Sequence, residues 1–385
     1  MMLCNVCNAP LGDPVYNPES PERLTSLCST HEGTARVWSC SICGHLRGDE
    51  LTDTAAFYDV GYRISLDHED EDQVYEVNGS QIVYRTEHQA STLLEKLKLT
   101  QGALLLDYGC AKASTPRHML RKRPDLQLHL FDVSEMYLSH WKRLVPDIQR
   151  CATYRTPATW AGRFDVVTSF FALEHVPAPQ AMVGHVASLL NKEGVFYGIV
   201  PDTFGNVADF LVADHVNHFT ETSLYRLLSA CGFVEISIDA TVHRGALVFS
   251  ARRSGHPTPP PPLPQVLERS RRLAGYWQAL PGELRAAELA AGDTPAAIYG
   301  SGFYGTYIAK QLVRPERIQC FVDKSPFQQG KTLMERTVVA PEQLPAQVRT
   351  LYVGLNPVIA REALRDASWL NAERVRLVFL SASPI

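Results

Sequence analysis

The chain has 385 residues, of which 45% are hydrophobic and 20% charged, and its formal net charge is −4. That length exceeds what one ordinary core organises, so two or three domains are expected. The charge balance carries no electrostatic footprint for nucleic acid or an anionic membrane, and no apolar run approaches the roughly 20 residues of a membrane span.

The first residues, MMLCNVCNAP, lack the charged and apolar regions of a signal peptide, so a cytoplasmic location is expected. Five of the nine cysteines, Cys4, Cys7, Cys28, Cys40 and Cys43, crowd the first 45 residues. Cys4-x-x-Cys7 and Cys40-x-x-Cys43 have the spacing of two zinc knuckles. Each pair puts two thiolates on one tight turn, and two turns complete a tetrahedron around Zn²⁺. Residues 1–50 hold few apolar runs and many turn formers ("NAPLGDPVYNPESP"), so they need such a staple to fold. Four thiolates leave no position for water, and the zinc is therefore expected to be structural. Cys28 and His31 offer a substitute pair or a second site, with a loop cysteine and an exposed histidine as the plainer alternative. Cys110, Cys151, Cys231 and Cys320 lie singly in or beside apolar segments and read as buried small side chains.

Residues 51–82 read as a connecting segment whose acidic run "DHEDEDQ" (67–73) is a solvated surface. From 83 to 253 apolar strands alternate with amphipathic helices. "EHQASTLLEKLKL" predicts a helix, "ALLLDYG" a strand entering a turn, "STPRHMLRKRP" a helix, and "LQLHLFDVS", "FDVVTSFFAL" and "GVFYGIVPD" three more strands. This alternation predicts an α/β, doubly wound, mainly parallel sheet covered on both faces. "FVEISIDATVHRGALVFSARR" reads as a closing hairpin on it. The proline cluster "GHPTPPPPLPQ" (255–265) then acts as a stiff spacer and marks a boundary. With the helical stretch that follows, it makes residues 255–292 a linker and helix. "PAAIYGSGFYGTYIAKQL", "IQCFVDKSP" and "VRTLYVGLN" predict a smaller α/β domain over 293–385.

In an open parallel sheet the ligand sits at the carboxyl ends of the strands. "LLLDYGCAKAS" (104–114) stands there, but D-Y-G-C-A-K-A does not match the G-x-G-x-x-G that seats a pyrophosphate on a helix N-terminus. A carboxylate at its head repels a pyrophosphate and suits a cofactor without phosphates, with a cationic amino and sulfonium end and an adenosine tail: S-adenosylmethionine. Asp132 ends the next strand, 23 residues after Gly109, where it can take both ribose hydroxyls or cap the following helix.

These four stretches, "LLLDYGCAKAS", "LHLFDVS", "FDVVTSFFALEHV" and "GVFYGIVPD", resemble the class I S-adenosylmethionine-dependent methyltransferases. With a Cys-x-x-Cys pair at each end of the first 45 residues and a small α/β domain at the C-terminus, nearly the whole chain resembles the sugar C-methyltransferases. Those enzymes methylate nucleotide-linked keto sugars. The resemblance implies a zinc-binding segment over 1–50, a methyltransferase domain over 51–254 and a Rossmann-like domain over 293–385. It implies that Asp107, Gly109 and Ala111 line the methionine end, that Asp132 with Val133 beside it holds the ribose, and that the backbone of Phe170 and Phe171 faces the cofactor. Ala111 and Ala113 depart from the family's glycines, and alanine suits both positions if their φ is below zero.

For the chemistry, histidine is the natural base near neutrality. His175 in "ALEHV" follows the fourth strand, with a helix-start residue as its plain reading. "ADHVNHFT" brings Asp214, His215 and His218 into one loop. The family carries a Tyr-His-Glu-His stretch here; Asp214 replaces its Glu, His215 matches its second His, the base, and Val212 and Ala213 replace the Tyr and first His. His243 falls where the family has His-Gly-Gly. A structural role for His215 and a helix-capping role for Asp214 stay open.

The missing tyrosine leaves two acceptors: carbon next to a keto group of a nucleotide-linked sugar, or oxygen of a sugar or glycan hydroxyl. The C-terminal "IYGSGFYG" is a true G-x-G-x-x-G (Gly300, Gly302, Gly305) with Asp323 ending the next strand. Alone it argues for a dinucleotide and an NAD(P)-dependent or bifunctional enzyme, whereas the resemblance makes it a substrate-binding or packing domain. A non-catalytic binding module is the third reading. The expected partner is a small molecule, with no nucleic acid and no membrane, and the sequence is silent on oligomeric state.

Overall fold

The computed structural model describes residues 2–52, 57–58, 70–78, 81–365, 367–371, 373–383 and 385. Most of the connecting segment, including 67–69 of the acidic run, lies outside the described residues. Contacts divide the chain into two units. The first comprises Met1–Asp13, Trp38–Gly205 and Asp214–Leu267; the second comprises Pro14–Val37, Asn206–Ala213 and Glu268–Ile385.

The strands of the first unit include β1 (Leu46–Gly48), β2 (Leu104–Tyr108), β3 (Gln127–Asp132), β4 (Cys151–Thr153), β5 (Phe164–Phe170), β6 (Leu190–Pro201), β7 (Asn217–His218), β8 (Val234–Asp239) and β9 (Ala246–Arg252). Its helices are α1 (Arg85–Lys96), α2 (Ser114–Lys122), α3 (Leu138–Leu144), α4 (Pro179–Leu189) and α5 (Glu221–Ala230). Among the described residues seven strands form one sheet in the order β8-β9-β6-β5-β2-β3-β4. β6, β5, β2, β3 and β4 run parallel, while β9 is antiparallel to both β6 and β8, so the expected closing hairpin is present. The order reverses between β2 and β5, which makes the carboxyl ends of these two strands the place for a ligand.

The strand alternation is visible in the core. Leu106, Val167 and Phe196 join one apolar cluster, and their chain neighbours Leu105, Val166 and Tyr197 join the cluster on the opposite face. The helices cover both faces, as the strand–helix alternation predicts. α5 begins in a capping box: Thr220 Oγ1 accepts from the Ser223 amide and Ser223 Oγ accepts from the Thr220 amide. This fixes where the preceding loop, 214–220, must end. Cys4, Val6, Leu11, Trp38, Cys40 and Cys43 join the first cluster, so the N-terminal turns borrow a core they cannot build alone.

The second unit holds α6 (Pro264–Ala291) from Glu268 onward, β10 (Ala296–Tyr299), α7 (Phe303–Gln311), β11 (Ile318–Val322), β12 (Thr332–Leu333), β13 (Arg336–Val339), β14 (Thr350–Val353) and β15 (Arg376–Phe379). Six strands in the order β12-β13-β11-β10-β14-β15 form its sheet, parallel except for the β12–β13 pair. Trp277 of α6 is fully buried, donates from Nε1 to the Val207 carbonyl at 3.0 Å and meets Tyr307 edge-on. Among the described residues no helix is long and apolar enough to cross a membrane.

Candidate active site

The acid-first turn lies between β2 and α2, at the switch point. Gly109 has φ 82°, and a Cβ there would sit 2.8 Å from the Cβ of Ala172, so conformation and space both demand glycine. The amides of Gly109 and Cys110 both donate to the Phe131 carbonyl, at 2.8 and 3.0 Å. Ala111 donates its amide to Asp132 Oδ2 at 2.8 Å and accepts at its carbonyl from Trp141 Nε1. Asp132 Oδ1 accepts from the Ser134 amide at 3.2 Å. Asp132 therefore pins the turn to the end of β3, and its two oxygens keep lone pairs for further donors.

Ala111 and Ala113 do not have φ below zero. Their φ values are 44° and 57°, and Phe171 across the switch point has 53°. An L-residue in this region costs about 1–2 kcal/mol. The turn keeps its left-handed geometry without the glycines that usually supply it, because hydrogen bonds to Asp132 and the Cys110 carbonyl and from Trp141 over-determine it. Strain collected at three positions on both sides of one switch point marks this end of the sheet as a site.

Asp107 is buried at the end of β2, and its Oδ1 accepts from Thr168 Oγ1 at 2.7 Å. Burial pushes its carboxyl up to about 7, against the lowering pull of the Thr168 bond, and the Asp132 charge adds to the rise. Burial likewise raises Asp132. Lys112 donates to the Glu71 carbonyl at 2.9 Å, and burial lowers its ammonium. Val133 is exposed, Phe170 ends β5 half-buried, and Phe171 donates its amide to the Ile199 carbonyl. His243 is buried within 5.6 Å of the Phe171 ring, and burial lowers its imidazole to about 4. The two buried carboxylates suit hydroxyl and ammonium donors, and they oppose a pyrophosphate. The donor set fits S-adenosylmethionine.

Beyond β5 the chain turns through Leu173–His175, and there three of the four candidate catalytic residues meet. His175 Nδ1 lies 2.9 Å from the Asp214 carbonyl and 3.6 Å from Asp214 Oδ2. Its ring stands 4.8 Å from that of His215, nearly perpendicular. A carbonyl only accepts, so Nδ1 of neutral His175 carries the proton and Nε2 keeps the lone pair. The Glu174 carboxylate and both imidazoles converge to within 4.8 Å. His218 does not join them; it lies in β7, paired with Leu46 of β1.

The sequence reading missed Tyr58. Its hydroxyl donates to the Asp214 carbonyl at 2.9 Å and sits 2.9 Å from His175 Nδ1. Tyr58 reaches this loop from 156 residues earlier in the chain. No motif surrounds Tyr58, and only the fold reveals it. Thr168 carried a fainter signal, as a hydroxyl inside the apolar strand "FDVVTSFF".

Elsewhere in the unit, one ligand atom from each of Cys4, Cys7, Cys40 and Cys43 lies within 4.8 Å of the others. Cys4 and Cys43 sulfurs are 3.6 Å apart, and Cys7 and Cys40 sulfurs 3.5 Å. Zinc–thiolate bonds of about 2.3 Å give a tetrahedron with edges of about 3.8 Å. Hydrogen bonds from Cys4 and Cys43 pull the Cys40 thiol far below its ordinary range. The donor set fits zinc, and all nine cysteines are free of disulfides. Among the described residues, Cys28 and His31 join no such group.

The second unit has a turn built on the same device. Gly300 has φ 97°, and a Cβ on Gly305 would fall 1.9 Å from the Gly300 carbonyl oxygen. Asp323 Oδ2 accepts from both the amide and the hydroxyl of Ser301, at 2.9 and 2.6 Å.

Residues 83–238 match a protein-family profile described as a methyltransferase domain. No curated protein matches the sequence. Among solved structures, a methyltransferase from Mesorhizobium loti is 18% identical over 43% of this chain and 98% of its own, with a TM-score of 0.36. The 1,6-didemethyltoxoflavin-N1-methyltransferase of Burkholderia thailandensis is 20% identical over 44% and 79%, with a TM-score of 0.34. The carbon methyltransferase CurJ is 15% identical over 44% of this chain, with a TM-score of 0.37, and the chain spans only 54% of its length. By the profile match residues 83–238 are a methyltransferase domain, and strand Ala246–Arg252 completes its mixed seven-stranded sheet.

Proposed function

We propose that the protein transfers a methyl group from S-adenosylmethionine to a nucleotide-linked sugar, at the carbon next to a keto group. The grouping of Tyr58, His175, Asp214 and His215 beside the end of β5 carries this reading. S-adenosylmethionine, when bound, supplies an electrophilic methyl. Asp107, Gly109, Ala111 and Phe171 would hold its methionine end and Asp132 its ribose, with Val133 and Phe170 alongside.

A base must remove the proton from the acceptor carbon, and the His175–His215 pair supplies it. His175 Nε2 takes the proton, leaving an enolate on the sugar. The Asp214 carboxylate, 3.6 Å from Nδ1, stabilises the imidazolium that results. The Tyr58 hydroxyl, which donates to the Asp214 carbonyl with its oxygen 2.9 Å from Nδ1, holds the ring in its productive tautomer.

In this proposal residues 1–50 carry structural zinc on Cys4, Cys7, Cys40 and Cys43. Residues 51–254 perform the transfer, 255–292 link, and the Rossmann-like 293–385 help bind the sugar nucleotide. The test incubates nucleotide-linked keto sugars in D₂O and follows deuterium entry at the carbon next to the carbonyl. Wild type should exchange that position and His175→Ala should not. Exchange that survives in both His175→Ala and His215→Ala overturns the base assignment. Absence of S-adenosylhomocysteine binding by calorimetry overturns the cofactor assignment.

A further inference from the structure

Asn217 is fully buried, and its amide has all its hydrogen-bonding capacity engaged. Nδ2 donates to the carbonyls of Leu173 (3.1 Å) and Val176 (2.7 Å). Oδ1 accepts from Asn5 Nδ2 (2.8 Å) and from His45 Nε2 (3.1 Å). Two donors facing two carbonyls fix the orientation of the amide, and the acceptor side then requires His45 to carry its proton on Nε2.

The four partners fall into two groups. Asn5 lies inside Cys4-x-x-Cys7, and His45 follows Cys43 by two residues, closing its turn through a bond from the Cys40 amide to the His45 carbonyl. Leu173 and Val176 bracket the turn that carries Glu174 and His175, itself closed by Val176 N–H to Leu173 O. A second strand of contacts runs alongside: Gln180 Nε2 donates to the Val6 carbonyl and Asn8 Nδ2 to Gln180 Oε1. Asn217 itself stands two residues after His215, in the strand pair that joins β7 to β1.

We propose that Asn217 is a positioning residue that ties the tetracysteine turns to the His175 turn, so that zinc on the N-terminal cysteines sets the geometry of the transfer site. Zinc fixes the relative position of the 4–7 and 40–43 turns. Asn5 and His45 ride on those turns and meet on one oxygen. The planar amide passes that position rigidly to the two carbonyls that hold His175 in place. A staple that only stabilised its own segment would need no such link. This inference rests on the reading of His175 and His215 as transfer residues only where methyl transfer is its readout.

The test is hydrogen–deuterium exchange on the full chain of measured zinc content, before and after removing zinc with a chelator, and on Asn217→Ala and Asn5→Ala. The peptide over 172–178 should exchange on the order of tenfold faster in both variants and in the zinc-free protein, as expected for losing a buried hydrogen bond. The peptide over 127–132 in β3 should not change. Both variants should keep their zinc and bind S-adenosylhomocysteine as wild type does, while the rate of methyl transfer at saturating substrate falls. Unchanged exchange over 172–178 in Asn5→Ala or in the zinc-free protein overturns the link, whatever Asn217→Ala does to folding. Faster exchange with unchanged methyl transfer upholds the link and overturns the role given to His175.

Discussion

Replacing Asp107 by asparagine tests the site through a proton. Burial holds the Asp107 carboxyl at about 7, far above the ordinary aspartate value of about 3.9. Between about pH 4 and pH 7 the folded chain therefore keeps a proton that the unfolded chain has released, and stability falls as pH rises through that window. A displacement of that size corresponds to about 4 kcal/mol. The Asp107→Asn side chain would preserve the shape and the acceptor for Thr168 Oγ1 but would not titrate, so this pH dependence should vanish from the variant and appear in the difference between the two proteins. For a domain of this size 1 kcal/mol is worth about 2–4 °C in Tm. Thermal unfolding followed at half-unit steps from pH 4 to pH 8 should show wild type losing roughly 8–16 °C relative to Asp107→Asn. A gap that stays constant across the range would refute the buried, protonated carboxyl and with it the account of the turn's electrostatics.

Gly109→Ala adds a Cβ at φ 82° and 2.8 Å from Ala172; conformational strain and overpacking together should cost about 2–4 kcal/mol in urea unfolding. A midpoint equal to wild type would show that the turn is looser than described. Ala111→Gly, by contrast, relieves left-handed strain of about 1–2 kcal/mol against an unfolded-state penalty of about 0.4–1 kcal/mol, so it should be neutral or slightly stabilising in the same assay. Cys40→Ser removes one thiolate of four, and metal analysis should fall from about one zinc per chain to near none; full retention would contradict the tetracysteine site. Tyr58→Phe removes a hydroxyl shared by His175 and the Asp214 carbonyl. It should slow methyl transfer about tenfold, the worth of one buried hydrogen bond, with S-adenosylhomocysteine affinity unchanged.

The parallel core was legible because each of its strands is a short apolar run bounded by a turn, and the cysteine spacing carried its own geometry. Leu104–Tyr108, Gln127–Asp132, Phe164–Phe170 and the hairpin over 234–252 lie where their apolar runs stand. The short edge strand Cys151–Thr153 escaped notice, since three residues carry no period. The site was legible only where its residues are close in sequence. His175, Asp214 and His215 are flagged by motif, whereas Tyr58 and Asn217 take their importance from partners far away in the chain. Backbone conformation was the plainest miss: alanine at 111 and 113 suggested negative φ, and surrounding hydrogen bonds hold both positive. Local preference of about 1 kcal/mol per residue yields to several such bonds acting on one turn.

The meeting of Asn5 with Asn217 across 212 residues, and of His45 with Asn217 across 172, also sets an order of events in synthesis. At about 5–20 residues per second His45 is synthesised roughly 9–34 s before Asn217. During that interval four thiols can meet a metal while nothing yet depends on it. In the proposed link, the half that would capture the ion is made early and the half that would read it is made late. Pulse labelling of nascent chains with a thiol-alkylating reagent, scored on Cys4 and Cys43, would time the capture directly.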